Sequence, residues 1–387
     1  MTKEVLILGG NHQNPLGVIE ALGQNGIMTN VIVHTKCKES FILKSKYIKQ
    51  GWVCGNTDDI INCILTNFHD KDDKAIVYAC SDNMASLLND HYDLLSPFLI
   101  IPGIPQQGLL TEWMDKEKMT EEAARIGLNI PPTWLVHKKQ IPNEIEYPCV
   151  TKSLSSVGNG KAEFKLCNNR EELETFLREK SYSDTIQVQK FIDKEFEFQY
   201  IGCSLKGGEE IIIPGRTHIE VTTHFNNITF LKYQQSKVIN DLTTLSNAEA
   251  FIRHTGYSGL FSIEFMHGKD GKDYFLEMNF RNDGNGIVVT AAGTNLPYIW
   301  YLYCTSDDYL HELSVSTAKE ICCVPEDSYF ISMLQGEITF KQWRQNMKKC
   351  SCYITYFKDD TGPFWSLMWM MRRAFLSSIV KRILHIH

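Results

Sequence analysis

The chain predicts an α/β unit followed by an α+β region, and three patterns carry that expectation. Short apolar runs alternate with helix-period segments over residues 1–115; a strand, a small polar loop and a strand follow one another from 148 to 166; and two period-two strands flank an Asp-Gly at 270–271.

In the first region VLILGG (5–10), NVIVH (30–34), AIVYAC (75–80) and LIIP (99–102) read as buried strands. LGVIEALGQNG (16–26) and a polar segment near 58–68 read as helices between them. The result is a small doubly wound unit. Its opening loop, GGNHQNPLG, has the placing of a dinucleotide-binding turn. Gly9, Gly10 and Gly17 do not give G-x-G-x-x-G, however, and Val33-His34-Thr35 stands where an acid would end the second strand. A dinucleotide-dependent oxidoreductase therefore stays only as an alternative.

Met114–Gly127 predicts a helix stopped by glycine, and Ile130-Pro-Pro-Thr133 restarts the chain as extended structure. A boundary near 115 divides the first unit from segments 116–190, 191–330 and 331–387.

The next strand, Pro148-Cys-Val-Thr-Lys152, runs into Ser153–Gly160, and a second strand covers Lys161–Leu166. A helix at 169–180, the strand Thr185–Ile192 and further strands to about 235 follow. A loop of Ser and Gly lets backbone N–H groups approach phosphate oxygens. It is not a P-loop, because Ala162 follows Gly160-Lys161 and Ser155 stands where the pattern needs glycine. Lys152 is either a solvated strand-end charge or a phosphate ligand.

Phe261-Ser-Ile-Glu-Phe-Met266 and Leu276-Glu-Met-Asn-Phe-Arg281 each put apolar residues on one face and an acid on the other. If Asp270-Gly271 forms a two-residue turn, Glu264 lies directly opposite Glu277. Opposed carboxylates destabilise a sheet unless a cation sits between them. With Asn279 beside them, the hard oxygen donors suit magnesium shared with a substrate phosphate; two solvated acids on an exposed hairpin are the alternative.

Taken in order, these pieces resemble the ATP-grasp superfamily over most of residues 1–300. The resemblance implies an ATP-grasp fold with a Rossmann-like pre-ATP-grasp domain (1–115), a lid subdomain with a phosphate flap (116–190), a central subdomain with a metal hairpin (191–330) and a C-terminal segment (331–387). It implies that Lys116, after Asp115, and Lys152 contact ATP phosphates, and that Ser155, Gly158 and Gly160 belong to the flap closing over them. Gln189, Lys190, Phe191 and Ile192 would form the adenine hinge, with Gln189 standing where the family often has Glu. Glu195, the better match, or Glu197 would hold the ribose. Glu277-Met-Asn-Phe-Arg281 matches the signature Glu-x-Asn-x-Arg, with Phe280 where proline is common, so that Glu264, Glu277 and Asn279 would hold two magnesium ions, with manganese able to substitute.

The reaction so implied is ATP-dependent joining of a carboxylate to an amine through an acyl phosphate, with Arg281 and Lys152 catalytic. The overall look is that of carboxylate–amine ligases of the D-aspartate ligase type or of carbamoyl phosphate synthetase-like members. Asn282–Gly286 reads either as an acceptor-side loop or as a simple turn, and Arg216 either reaches the phosphates or is solvated. A nucleotide-binding partner module without catalysis is the rival from another class.

At 387 residues, 43% hydrophobic and 22% charged, the chain has room for domains with a cleft between them. A net charge of −7 argues against nucleic acid as partner and for a small polyanion. Twelve scattered cysteines, and a start that enters Val5 without a leader pattern, lead to the expectation of a cytoplasmic protein.

The tail 363–387 has no acid, four Lys or Arg and two tryptophans. Its apolar runs are far short of the roughly 20 residues a spanning helix needs. As a helix it places Leu376, Ile379, Val380, Ile383 and Ile386 on one face opposite Ser377, Lys381, Arg382 and His385. That fits an amphipathic helix on the inner face of an anionic membrane, where a cell-envelope or polysaccharide precursor would be the substrate; a helix docked on the core is the alternative.

Overall fold

A computed structural model describes residues 3–70, 72–137, 140–152, 164–179, 184–221, 230–236, 242–313 and 318–383. The first unit alternates β1 (Val5–Gly10), α1 (Gln13–Gly23), β2 (Thr29–His34), β3 (Ile48–Cys54), α2 (Thr57–Asn67), β4 (Ala75–Ala79), α3 (Asp82–Asp90), α4 (Tyr92–Leu95) and β5 (Leu99–Ile100). Its five strands are parallel in the order β3-β2-β1-β4-β5. The direction of winding reverses between β1 and β4, and such a reversal leaves a crevice at the carboxyl ends of the two strands.

Helices α5 (Leu109–Trp113) and α6 (Lys116–Ile126) lead out of this unit. Asp115 caps α6 by accepting from the Lys118 N–H at 2.9 Å, and Gly127 ends it at φ +97°. The second sheet has the order β6-β9-β7-β8, built from β6 (Thr133–His137), β7 (Cys149–Lys152), β8 (Lys165–Cys167) and β9 (Thr185–Lys190), with α7 (Arg170–Glu179) packed on it. The strand expected over 161–166 is described only from Lys165, and the loop 153–163 lies outside the described residues.

The third sheet runs β15-β14-β10-β12-β13-β16-β17, with β11 on the side of β10. Its strands are β10 (Lys194–Leu205), β11 (Glu210–Ile212), β12 (Gly215–Val221), β13 (Phe230–Gln235), β14 (Gly259–Gly268), β15 (Asp273–Asn279), β16 (Glu320–Val324) and β17 (Cys352–Tyr353). Around them lie α8 (Thr243–Thr255), α9 (Gly286–Ala291), α10 (Leu296–Thr305), α11 (Leu310–Leu313), α12 (Glu326–Leu334), α13 (Phe340–Met347) and α14 (Gly362–Ile383).

The alternation along β10 decides what each face does. Phe198 and Tyr200 join Phe265, Phe275 and Met278 in a core closed by Met119 of α6 and Phe251 of α8. The opposite face begins polar, with Glu197 and Gln199, and turns apolar at Ile201 and Cys203, which pack with α9, α10 and the first unit. One sheet face is thus half dock and half polar, with Gln199 buried within the polar half.

The hairpin differs from the expected two-residue turn. The Gly268 N–H donates to the Lys272 carbonyl, so Lys269, Asp270 and Gly271 form a three-residue connection with Gly271 at φ +77°. Near the turn this pairs His267 with Asp273 and Phe265 with Phe275, one residue out of the expected register. A bulge between Glu264 and Phe265 then restores it, so that Glu264 pairs with Glu277 and Ser262 with Asn279. The bulge also corrects the burial pattern: Phe275 joins the core, and Leu276, expected inside, is half-buried.

Candidate active site

Three lines of charge meet where the second and third sheets face each other. Lys116 sits in the first turn of α6 with its Nζ 3.5 Å from Oε2 of Glu277. Lys152 ends β7, and its Nζ donates to Oε1 of Gln189 at 2.7 Å; the Gln189 amide in turn donates to Oγ1 of Thr133 at 3.1 Å. Burial, and then the charge of Lys116, push the Lys152 ammonium down to about 8, while Glu277 and Glu197 act in the opposite sense. Glutamine at 189 orients the amine without neutralising it.

Across the cleft, burial pushes the Glu264 carboxyl up to about 8, and Glu277 and Asp283 add to the effect. Its Oε1 accepts from Nδ2 of Asn279 at 2.9 Å, and that same Nδ2 lies 3.2 Å from Oγ of Ser262. The amide oxygen of Asn279 faces Arg281, accepting from Nη2 at 2.9 Å. Oxygen of Asn279 reaches a cation beside Glu264 only if the amide turns over.

Arg281 leaves the end of β15 and is held on several sides. Its Nε donates to Oδ1 of Asp82 at 3.1 Å, and Nη1 lies 3.3 Å from both Oδ2 of Asp283 and the Asn282 carbonyl. The two carboxylates raise its already high pKa further, against the pull of burial. A guanidinium fixed this way presents its remaining donor capacity in one direction.

The hinge positions split by role. The Lys190 N–H donates to the Pro132 carbonyl and the Phe191 N–H to that of Pro148, and the Lys190 side chain pairs with Glu146. The Ile192 N–H has no partner among the described residues. The Phe191 side chain is exposed. Glu195 is exposed where β10 slips register between Lys194 and Phe196. Glu197 pairs with Lys194, and its charge is felt at both Lys152 and Glu264. Glu197, unlike Glu195, therefore acts on both Lys152 and Glu264.

Ser155, Gly158 and Gly160 lie outside the described residues. Arg216 pairs with Tyr200 and stands over the Phe198 ring at 5.4 Å, on the sheet face opposite Glu264. It does not point toward the acids. Among the described residues no three His, Cys, Asp or Glu side chains are grouped to hold a metal ion. A cation here would rest on Glu264 and Glu277, with oxygens supplied by a ligand, which suits magnesium on a nucleotide.

The loop 282–286 is no simple surface turn. Asn282, Asp283 and Asn285 are buried; Asp283 accepts from Oγ of Ser262 at 2.8 Å, and Asn285 donates to Gln199 at 3.0 Å. Asn282 and Asn14 of α1 hydrogen-bond each other, and the Asn282 N–H donates to the Ala79 carbonyl at 3.0 Å. Sequence reasoning missed His12, Asn14, Asp82 and Asp283. The available signal was positional: His12 and Asp82 follow β1 and β4, the two strands flanking the reversal of winding.

Residues 122–297 match the family model described as the ATP-grasp domain. D-aspartate ligase from Enterococcus faecium (strain Aus0004) is 23% identical over 352 residues, spanning 81% of this chain and 80% of that protein. The crystal structure of L-amino acid ligase from Bacillus licheniformis superposes with a TM-score of 0.64 at 15% identity, covering 83% of this chain and 79% of that one. N5-carboxyaminoimidazole synthetase from Staphylococcus aureus gives a TM-score of 0.64 at 13% identity over 88% of each chain. Likeness at these identities speaks for the fold.

Proposed function

We propose that this chain, which carries an ATP-grasp domain over residues 122–297, is an ATP-dependent ligase joining a carboxylate to an amine. The observation that carries the reading is one cleft that sets Lys116 and Lys152 against the opposed carboxylates Glu264 and Glu277, where burial pushes Glu264 up to about 8 and Lys152 down to about 8. A nucleotide triphosphate with magnesium supplies what each lacks. A nucleotide-binding partner module would use the same pair, and carboxylate-stimulated ADP release separates the two readings.

The Lys116 and Lys152 ammoniums hold the phosphates, the lysine of β7 being aimed by Gln189. Glu264 and Glu277 would hold a magnesium ion, which would supply charge neutralisation at the phosphates during transfer. Asp82 and Asp283 orient Arg281 toward the transferring group. The substrate carboxylate oxygen forms a bond to the γ-phosphorus as the bond to ADP breaks, giving an acyl phosphate. The amine then attacks the acyl carbon, phosphate leaves with the C–O electron pair, and the nitrogen gives up a proton to water. The ribose rests on Glu195 or Glu197, and the adenine on the backbone of Lys190 and Ile192.

The name of the Enterococcus relative makes D-aspartate the first carboxylate to try. The test is ADP release with pooled amino acids, small carboxylates and amino sugars, on the wild type and on Glu277→Ala. Carboxylate-stimulated release that the variant loses is the expected result. No release with any pool, or equal release by the variant, counts against the ligase.

A second reading concerns α14. Leu367 and Met370 pack toward the core while Trp365 and Trp369 are 62% and 51% exposed, with Arg373 over the Trp369 ring at 4.4 Å. Exposed tryptophan beside a cation is the composition of a membrane-interface contact. The helix then docks by one side and meets an anionic bilayer by the other, on the cytoplasmic face, where a cell-envelope precursor would be in reach. No helix among the described residues is long and apolar enough to cross a membrane. The side chains of 374–383 and residues 384–387, which include the whole of the expected stripe, lie outside the described set.

A further inference from the structure

We propose that His12, at the mouth of the first unit's crevice, is a hydrogen-bond donor that binds and orients the carboxylate substrate beside Arg281. The inference rests on the ligase reading and adds to it a carboxylate subsite and the residue that selects for it.

The placement comes from the winding of the first sheet. Ligands of doubly wound sheets sit at the carboxyl ends of the strands where the winding reverses, here between β1 and β4. The Arg281–Asn282 turn enters that crevice. It is pinned there by the Asn282 N–H to the Ala79 carbonyl at 3.0 Å, by Arg281 to Asp82 at 3.1 Å, and by the mutual bonds of Asn282 and Asn14. Gly284 lies against Asn14, its own Cβ position only 3.7 Å from the Asn14 Cβ. The carboxyl ends of β1 and β4 are therefore tied to the end of the hairpin by buried hydrogen bonds, with the β1–α1 loop alongside.

The chemistry comes from how His12 is held. Its Nδ1 caps α1 by accepting the Asn14 N–H at 3.3 Å. A ring nitrogen that accepts carries no proton, so the proton of the neutral ring sits on Nε2. Burial and the nearby Arg281 charge keep the ring neutral by lowering its pKa. Nε2 is left as a donor with no partner among the described residues. The absence of a side chain at Gly10 makes room for the ring: a Cβ there would meet the His12 ring at 2.8 Å. A neutral N–H within electrostatic reach of the Arg281 guanidinium, at the start of a helix of 11 residues, is a set of donors that recognises a carboxylate. It cannot deprotonate the incoming amine at Nδ1 without losing the cap, which restricts His12 to binding and orientation.

The decisive variant is His12→Asn, because asparagine is itself a good cap and preserves α1 while removing the ring N–H. Carboxylate binding is measured by calorimetry on protein saturated with ADP and magnesium, with D-aspartate and then the other carboxylates of the ADP-release panel as probes. The expected result is at least tenfold weaker carboxylate binding, and a matching rise in KM wherever turnover is seen. Affinity for ATP should stay within twofold and Tm should be unchanged. His12→Ala should show the same loss together with a lower Tm. A wild type that binds none of the carboxylates, a His12→Asn protein that binds them equally well, or an equal loss of ATP and carboxylate affinity overturns the inference. Carboxylate binding that depends on His12 without ADP release from the wild type refutes the ligase reading alone.

Discussion

Glu264 and Glu277 face each other across β14 and β15 because two irregularities cancel: a three-residue turn slips the register by one, and a bulge beside Glu264 slips it back. Neither device alone would oppose the acids. Their cancellation implies that the opposition, with its cost to the sheet, has a use. If that use is a cation, Glu264→Gln should leave the metal-free protein as stable as the wild type near pH 7 or more so, by up to about 1 kcal/mol. The rise in Tm on adding ATP with magnesium should vanish. Thermal unfolding with and without the nucleotide checks both halves; a variant retaining the full rise would remove Glu264 from the metal site.

Lys152 titrates where its charge matters. Its ammonium is pushed down to about 8, so the cation that attracts phosphate is present below that pH and lost above it. ATP affinity of the free enzyme should fall as pH rises through about 8. Lys152→Met should bind ATP roughly 10- to 100-fold more weakly below pH 8, the loss of one hydrogen bond to a charged group, and show a flatter profile. Gln189→Glu places an anion against the amine and should move the midpoint upward. A midpoint that stays put in that variant would break the assignment to Lys152.

Far from the cleft, Glu20 of α1 and Asp360 share a hydrogen bond in the interior, where the Lys46 N–H also donates to Asp360 at 3.2 Å. Burial, followed by Asp360, raises the Glu20 carboxyl from 4.5 to about 9. The unfolded chain therefore releases this proton near 4.5 and the folded one only near 9. The associated stability is complete below the lower value and is lost progressively as pH rises to the upper one. Glu20→Gln keeps a donor toward Asp360 and has no proton to release. It should match the wild type near pH 5 and exceed it by roughly 1–3 kcal/mol near pH 8.5 in urea unfolding. Parallel curves across that range would contradict a protonated Glu20.

For α14, replacing Trp365 and Trp369 together by serine should abolish sedimentation with vesicles rich in anionic lipid and leave ATP binding intact. Neither residue is buried, so Tm should change little. Sedimentation equal to wild type would leave the helix as a strut of the C-terminal segment.

Much of the candidate site was legible because period-two alternation is a local property. LEMNFRNDGNG and FSIEFM each show which residues share a face, and the strand PCVTK shows a lysine at a strand end. The facing of Glu264 and Glu277 was also anticipated, but from a two-residue turn that does not form; the bulge that corrects it depends on how Leu276 and Phe275 compete for the core. Local patterns carry no sign of that competition.

What the sequence determined by itself is the order of the elements, the polar and apolar faces of each strand, and the set of acids and lysines available for a nucleotide. Tertiary structure alone decided that Arg281 lies against Asp82, that Arg216 stands on the far face, and that Asn14 bonds to the end of a hairpin more than 260 residues away in the chain. The physical reason is that charges and hydrogen-bond donors act through space over a few ångströms, whereas the chain reveals only neighbours along its length. The crevice between β1 and β4 brings those two kinds of distance together, and it exists only once the sheet has wound in both directions.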